Sequence, residues 1–262
     1  MITLTSTQLD ALLLTWLYPL ARILGMVGTA PLFNSQAVPM RIRLAIGLVL
    51  VMAIVPALPS PPQIMPGTWQ GIALFVQQII IGIGIGLSMR IVMSAFDIAG
   101  EIIGLQMGLS FATFFDPDTS AQTAVLGELL GLLATLVFLA LNGHLLLIDV
   151  VVRSFEIAPI GGVSFTQKPW ITLMQVATLA FSSGLLIALP LIAALLITNI
   201  ALAVLTRAAP QLNIFAVGFP VTSTVGILVL IVSLDAFAPT LQHILDQGFD
   251  ITMQFIKALP RA

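Results

Sequence analysis

Three ionisable side chains recur at helical spacing in the middle of an apolar chain. Arg90, Asp97 and Glu101 lie at intervals of seven and four residues, which places them on one face of a helix. Ionisable groups at membrane depth are costly, and they usually face a bundle interior, a partner or a water-filled path. Two interpretations follow. The three groups either relay protons or ions, as in a small secondary transporter, or they pair structurally or lie at an aqueous boundary.

The other ionisable residues do not form a recognisable catalytic set. His144 and His243 have no second ligand at metal-binding spacing, and the chain has no cysteine to supply a thiolate or a thiol nucleophile. The sequence motifs of zinc peptidases, serine hydrolases and phosphate-binding loops are missing. Asp149 and Arg153 are spaced as acid before base on one helical face, which predicts a structural pair. We therefore expect no enzyme activity, no cofactor and no metal.

The composition is that of a membrane protein. Of the 262 residues, 59% are hydrophobic and 8% are charged, and the mean hydropathy is +1.13. Soluble domains carry about 25% charged residues, so a chain of this composition is expected to be embedded in lipid. The net charge of -2 gives no basic surface for nucleic acid.

Uncharged intervals predict an all-α protein with about six spans, each needing about 20 apolar residues. The prolines between 56 and 62 divide the second interval into two spans. The interval 169–206 is longer than a hydrocarbon core of about 30 Å requires, so it predicts a re-entrant hairpin or a long helix partly covered by other protein. An amphipathic helix is expected over 239–259. The spans are predicted within 9–30, 44–89, 129–148, 169–206 and 208–234.

Lysine and arginine residues near the span ends are equally frequent on the two sides, so they fix the orientation only weakly. We favour an arrangement in which both termini lie outside and the loop at Arg207 lies in the cytoplasm. Such a balance of cations is unusual for simple spanning proteins.

Glycines recur four residues apart along three predicted helical segments. This spacing forms a shallow groove on one helix face and lets another backbone approach closely. The groove is expected to pack either against another helix of the same chain or against a neighbouring subunit. The residues are Gly82 and Gly86, then Gly100, Gly104 and Gly108, then Gly127 and Gly131.

The stretch 104–117, GLQMGLSFATFFDP, does not read as a membrane span. Glycines at helical spacing are followed by Phe111, Phe114 and Phe115, and Asp116-Pro117 ends any helix. Non-helical chain at membrane depth must be buried in protein or line a wet cavity. The stretch is therefore either a packed core loop or a functional segment that lines a cavity.

Three motifs in the chain resemble the signatures of one family. The first is GLQMG at 104–108 with SFA at 110–112 and DP at 116–117. The second is NGH at 142–144 with SF at 154–155 and Pro159, and the third is RAAPQLNIFAVGFP at 207–220. On these residues the sequence is similar to the FliR family of flagellar type III export-gate proteins and to its SctT-type relatives in virulence injectisomes. With the span pattern, the resemblance covers nearly the whole chain.

The resemblance implies a single integral-membrane domain over 1–262 that works in a helical export gate. Members of the family assemble with FliP and FliQ, and FlhB and FlhA join them. The gate exports unfolded protein chains through the bacterial inner membrane at the flagellar basal body, with part of it raised towards the periplasm. By this resemblance, 9–161 is similar to FliP and 169–259 to the helical hairpin of FliQ. Membrane lipid covers the remaining apolar surface.

The resemblance also implies two functional segments. One is a plug that closes the pore before export, for which bulky phenylalanines supply apolar contacts indifferent to sequence. The other is an entrance loop at the cytoplasmic mouth, where side-chain amides of neighbouring subunits form a ring. On the residues alone, a packed loop and an ordinary hairpin turn remain open. The plug comprises Gly108, Leu109, Ser110, Phe111, Ala112, Thr113, Phe114, Phe115, Asp116 and Pro117, and the entrance loop contains Arg207, Pro210, Gln211 and Asn213.

Overall fold

The structure is a computed structural model that describes residues 6–35, 38–58, 64–65, 67–109, 125–161, 167–209, 211 and 214–259. Every regular element within these ranges is helical, which confirms the predicted all-α class. The α-helices are α1 (Ser6–Thr29), α2 (Met40–Ile54), α3 (Trp69–Gln106), α4 (Val125–Ala140), α5 (Gly143–Ile157), α6 (Lys168–Ala208), α7 (Ile214–Ser233) and α8 (Phe237–Lys257). Short 3-10 turns follow α2 and α7 at Val55–Ala57 and Leu234–Ala236.

Four helical segments in the described ranges are long and apolar enough to cross a membrane, and a fifth is added if α4 and α5 form one bent span. The sequence predicts about six spans. If the bent pair is one span, the difference is α1, which carries Asp10 and Arg22; if it is not, the span predicted over 129–148 is missing as well. The chain is an all-α membrane protein. The four segments are Met40–Ala57, Trp69–Gln106, Lys168–Ala208 and Val217–Lys257.

One predicted span end is wrong, and one predicted span is bent in its interior. The span expected to stop at Met89 continues through Arg90 as α3, a helix of 38 residues that ends at Gln106. The span expected over 129–148 is interrupted, because Asn142 adopts a left-handed φ of 57° and α4 and α5 meet at a bend of 67°. Asparagine tolerates this conformation better than most residues do.

The interval from 169 onwards forms one continuous helix, so the long-helix alternative is correct and the re-entrant hairpin is not. Helix α6 has 41 residues with Pro190 inside it. Proline within a membrane helix is tolerated where neighbouring groups repair the lost backbone hydrogen bond. The amphipathic helix predicted over 239–259 is confirmed as α8, which begins two residues earlier, at Phe237.

The described chain divides into two compact units. Unit 1 comprises Met1–Ile91, Asn142–Ala177 and Leu245–Ala262, and unit 2 comprises Val92–Leu141 and Thr178–Ile244. This division differs from the split into 9–161 and 169–259 that the resemblance implies. The latter stays a prediction.

In unit 1, glycines let α1 and α3 approach closely. A methyl group added at Gly25 would lie 2.6 Å from the carbonyl oxygen of Ile79, and one added at Gly86 would lie 2.6 Å from that of Met26. Gly82 likewise faces the backbone of Arg22. The groove of Gly82 and Gly86 is predicted to pack either against another helix of the same chain or against a neighbouring subunit. It packs against α1 of the same chain.

In unit 2, a second close approach joins α3 to α4. A methyl group added at Gly100 would lie 2.5 Å from the backbone nitrogen of Gly127. Phe96 packs against Phe237 with ring centroids 4.8 Å apart. Gly104 differs from Gly100, because a methyl group added there would meet nothing within 4 Å.

Candidate functional site

The stretch 104–117 begins with a well-defined helix end. The amide of Gly108 donates a hydrogen bond to the carbonyl of Leu105 at 3.1 Å, and the amide of Leu109 donates one to the carbonyl of Gly104 at 3.1 Å. Gly108 has a φ of 79°, in the left-handed region that glycine adopts at little cost. These bonds form a Schellman cap, which stops a helix and turns the chain away.

Of the ten predicted plug residues, only Gly108 and Leu109 fall within the described ranges. The other eight, Ser110 to Pro117, lie outside them. The structure therefore gives the point from which the predicted plug leaves α3. Its contacts with a pore are not part of the described structure.

The entrance loop is described in part. Arg207 is exposed in the last turn of α6, and Gln211 is exposed just beyond it. A cation in the last turn of a helix interacts favourably with the helix dipole. Pro210 and Asn213 lie outside the described residues, so the predicted grouping of the two amides stays a prediction.

The three ionisable residues on α3 are all exposed. Arg90, Asp97 and Glu101 form no ion pair among the described residues, so the structure gives no support to the internal-pairing interpretation. The side chain of Asp97 instead lies against Gly131 of α4. The predicted pair on α5 is confirmed, since Arg153 Nε donates to Asp149 Oδ2 at 2.7 Å with both side chains about half exposed.

A buried arginine forms an extensive polar cluster among the described residues of unit 1, and the sequence did not mark it as a site. Arg22 of α1 is fully buried. Its Nε and Nη2 donate to Oε1 of Gln78 at 2.8 and 2.6 Å. Its Nη1 donates to Ser154 Oγ at 3.0 Å, and Nη2 also donates to the carbonyl of Ala158 at 2.9 Å.

The charge of Arg22 is balanced without a carboxylate among these partners. The guanidinium carbon lies 4.1 Å from the centroid of the Phe155 ring, a geometry that stabilises a cation through the ring's π face. Amide, hydroxyl and carbonyl oxygens accept four of its hydrogen bonds. The cluster thereby ties α1, α3 and α5 together. The sequence does show a cation inside an apolar run at Arg22. It could not show the hydrogen-bond partners, because they are 56 to 136 residues away along the chain.

Comparison with protein families gives a single answer. The model of the family described as bacterial export proteins, family 1, matches residues 13–248, which is most of the chain. The chain belongs to this family. The matched range includes the three motifs on which the sequence resembles FliR proteins.

Curated relatives match over almost the whole chain. Flagellar biosynthetic protein FliR of Escherichia coli is 41% identical over 260 residues, which is 99% of this chain and 99% of that protein. The protein of the same name from Pectobacterium carotovorum is 39% identical over 262 residues, again 99% of each. The one from Aquifex aeolicus is 29% identical over 249 residues, covering 95% of this chain and 96% of that protein. The predicted FliR-family assignment is confirmed.

Proposed function

We propose that this chain is a structural and gating subunit of the flagellar type III protein export apparatus in the bacterial inner membrane, and not an enzyme. The support is the match over almost the full chain to relatives named flagellar biosynthetic protein FliR. In this role it assembles with FliP and FliQ, and FlhB and FlhA join them at the basal body. Unfolded flagellar proteins pass through the resulting gate.

The segment Gly108–Pro117 acts as the plug of this gate. The observation that carries the proposal is the Schellman cap at Gly108, which stops α3 directly before three phenylalanines. Because the cap satisfies the carbonyls of Gly104 and Leu105 and turns the chain, the following residues do not continue α3. Phenylalanines can close a pore by keeping it dry, and they release chains of varied sequence because their contacts are not directional.

The outer surface of α6 suits an assembled subunit. Leu186, Ile197 and Val204 have exposed fractions of 64%, 69% and 65%, so this helix carries large apolar side chains that the chain itself leaves uncovered. Membrane lipid covers part of such a surface. Neighbouring gate subunits cover the part that extends beyond the bilayer.

The Arg207 to Asn213 loop lies at the cytoplasmic entrance. The exposed positions of Arg207 and Gln211 support this role, because side chains at a mouth must reach out from the hairpin. Gln211 and Asn213 of neighbouring subunits form hydrogen bonds that narrow the entrance. An ordinary polar turn is the alternative.

The decisive experiment removes the plug. Deletion of Ser110 to Phe115 in membranes carrying the whole assembly is expected to raise ion leak, because the apolar constriction is lost. The triple variant Phe111→Leu, Phe114→Leu, Phe115→Leu is the matched control, since it keeps apolar bulk and is expected to stay closed. Recovery of FliP and FliQ with each variant in mild detergent checks assembly.

An assembled deletion variant with unchanged leak would exclude the plug.

In the same system, Gln211→Ala with Asn213→Ala is expected to disturb secretion. Normal secretion and normal assembly in that variant would favour the ordinary turn.

The alternative functions have less support. An injectisome subunit would share the motifs, but the relatives reported above carry the flagellar name. A secondary transporter would use Asp97 and Glu101, yet both are exposed and neither forms a buried ion-binding group with other described residues.

A further inference from the structure

Met107, the first residue after α3, contacts α7. The Oγ1 of Thr222 donates a hydrogen bond to the carbonyl of Met107 at 3.2 Å, and both residues are buried. Met107 directly precedes Gly108, where the chain turns away from α3. The contact therefore lies at the root of the segment that follows.

The Met107 carbonyl has a specific need for this partner. The last carbonyls of a helix have no intrahelical donor, and the Schellman cap satisfies only those of Gly104 and Leu105. Met107 is 1% exposed, so water does not replace the missing donor. Among the described residues, Thr222 supplies the hydrogen bond, and without it a buried carbonyl would be left unsatisfied.

The side chain of Met107 uses the same face of α7. Gly226 lies four residues after Thr222, one helical turn along that face. A methyl group added at Gly226 would lie 2.7 Å from both Cγ and Sδ of Met107, so the methionine fills the space that glycine leaves. Both the backbone and the side chain of Met107 therefore contact α7, the first by a hydrogen bond to Thr222 and the second by packing at Gly226.

We propose that Thr222 and Gly226 are positioning residues that fix the root of the plug segment 108–117 onto α7 in the closed gate. This inference rests on the proposed function, because it assumes that the segment closes a pore. It adds a partner within the chain, since α7 is the helix that follows the entrance loop. A displacement of α7 relative to α3 would release the root.

The junction is suited to release. The hydroxyl of Thr222 also lies within hydrogen-bond distance of two carbonyls of its own helix, Gly218 at 3.0 Å and Phe219 at 3.1 Å. Its one proton can therefore move to α7 when Met107 leaves. Methionine is an unbranched, flexible side chain that repacks easily. Only the Met107 carbonyl loses a partner, and it gains water as it becomes exposed.

The test uses the absence of cysteine in this chain. A Leu109→Cys substitution creates one thiol beside the root, and its rate of labelling by a soluble maleimide is measured in the whole assembly. Thr222→Val removes the hydroxyl at nearly constant volume and is expected to speed labelling about fivefold, the equilibrium change that corresponds to about 1 kcal/mol. Thr222→Ser is expected to restore the original rate. Thr224→Val is the matched control, because Thr224 is exposed and bonds only within its helix, to the carbonyl of Pro220 at 2.7 Å.

Gly226→Ala provides a second variant should Thr222→Val fail to assemble, and it is expected to speed labelling because it displaces Met107. Faster labelling with either assembled variant, and not with Thr224→Val, supports the anchor. Unchanged labelling in both overturns it. If deletion of Ser110 to Phe115 raises ion leak while labelling of the Leu109→Cys thiol is unchanged in both variants, the plug proposal is supported and the positioning role of Thr222 and Gly226 is contradicted. If labelling rises but the deletion causes no leak, the anchor stands and the plug falls.

Discussion

Among the polar contacts that join helices in the described structure, the Arg22 cluster and the Met107 junction are built in opposite ways. The Arg22 cluster places a full charge among four hydrogen bonds and an aromatic ring. The Met107 junction uses one neutral hydrogen bond and a flexible side chain seated on a glycine. Hydrogen bonds to charged groups contribute about twice as much as neutral ones. The first junction suits a permanent scaffold, and the second suits a contact that opens.

The largest effect is expected from breaking the scaffold junction. Gln78→Leu removes both hydrogen bonds to Nε and Nη2 of Arg22 and leaves a buried cation short of acceptors. We expect the free energy of unfolding to fall by about 3 to 5 kcal/mol. Thermal unfolding of the full chain in mild detergent measures this loss, with Gln175→Leu at an exposed position as control.

The double variant Arg22→Met with Gln78→Leu tests whether the unpaired charge of Arg22 causes the loss of stability in Gln78→Leu. Replacing a buried charge together with its partner by apolar groups is often nearly neutral. The double variant is therefore expected to recover most of the stability that Gln78→Leu loses. A double variant no more stable than the single one would contradict the view that the unpaired charge causes the loss.

A smaller effect is expected at the close approach of α3 and α4. Gly100→Ala would push a methyl group against the backbone of Gly127, and overpacking of this kind costs about 1 to 3 kcal/mol. Gly104→Ala on the same helix meets open space and serves as control. Its melting temperature should equal or exceed that of the parent, because alanine is the better helix former. Equal losses at both positions would show that helix packing is not responsible.

The smallest effect is expected at the surface pair on α5. Arg153 and Asp149 are 59% and 48% exposed, so their ion pair is worth less than about 1 kcal/mol. Asp149→Asn should leave the melting temperature of the full chain nearly unchanged, and added salt should reduce any difference further. A loss as large as that of Gln78→Leu would contradict the contrast between buried and exposed polar contacts.

The elements that depend on local pattern could be predicted from the sequence. The apolar run after residue 168 predicted a long helix as one of two alternatives, and the amphipathic pattern near the C-terminus predicted α8 to within two residues. Uncharged runs were a poorer guide to helix ends, because Arg90 is exposed and α3 continues past it. Asn142 interrupts a run that is apolar on both sides, since a single backbone dihedral turns the chain there.

The contacts that join distant segments could not be predicted. Gln78 and Ser154 have no sequence pattern that relates them to Arg22, because they meet only when three helices pack. Thr222 and Met107 are 115 residues apart, and a threonine among apolar residues usually bonds its own helix. The bounds of the predicted plug came from the resemblance to FliR proteins, and the plug stays a prediction. The contact between Met107 and Thr222 needed coordinates.

The length of α6 limits how many unassembled copies of this protein a membrane can accommodate. Its 41 residues extend about 60 Å, and a tilt of about 40° still leaves about 47 Å along the membrane normal, against about 30 Å of hydrocarbon. Apolar side chains are exposed near both ends, at Trp170, Met174 and Val204. Lipid cannot cover all of them at once, so copies made in excess of their partners would present apolar surface to water. Synthesis of this chain is therefore expected to be matched to that of its partners, with unassembled copies removed by proteolysis.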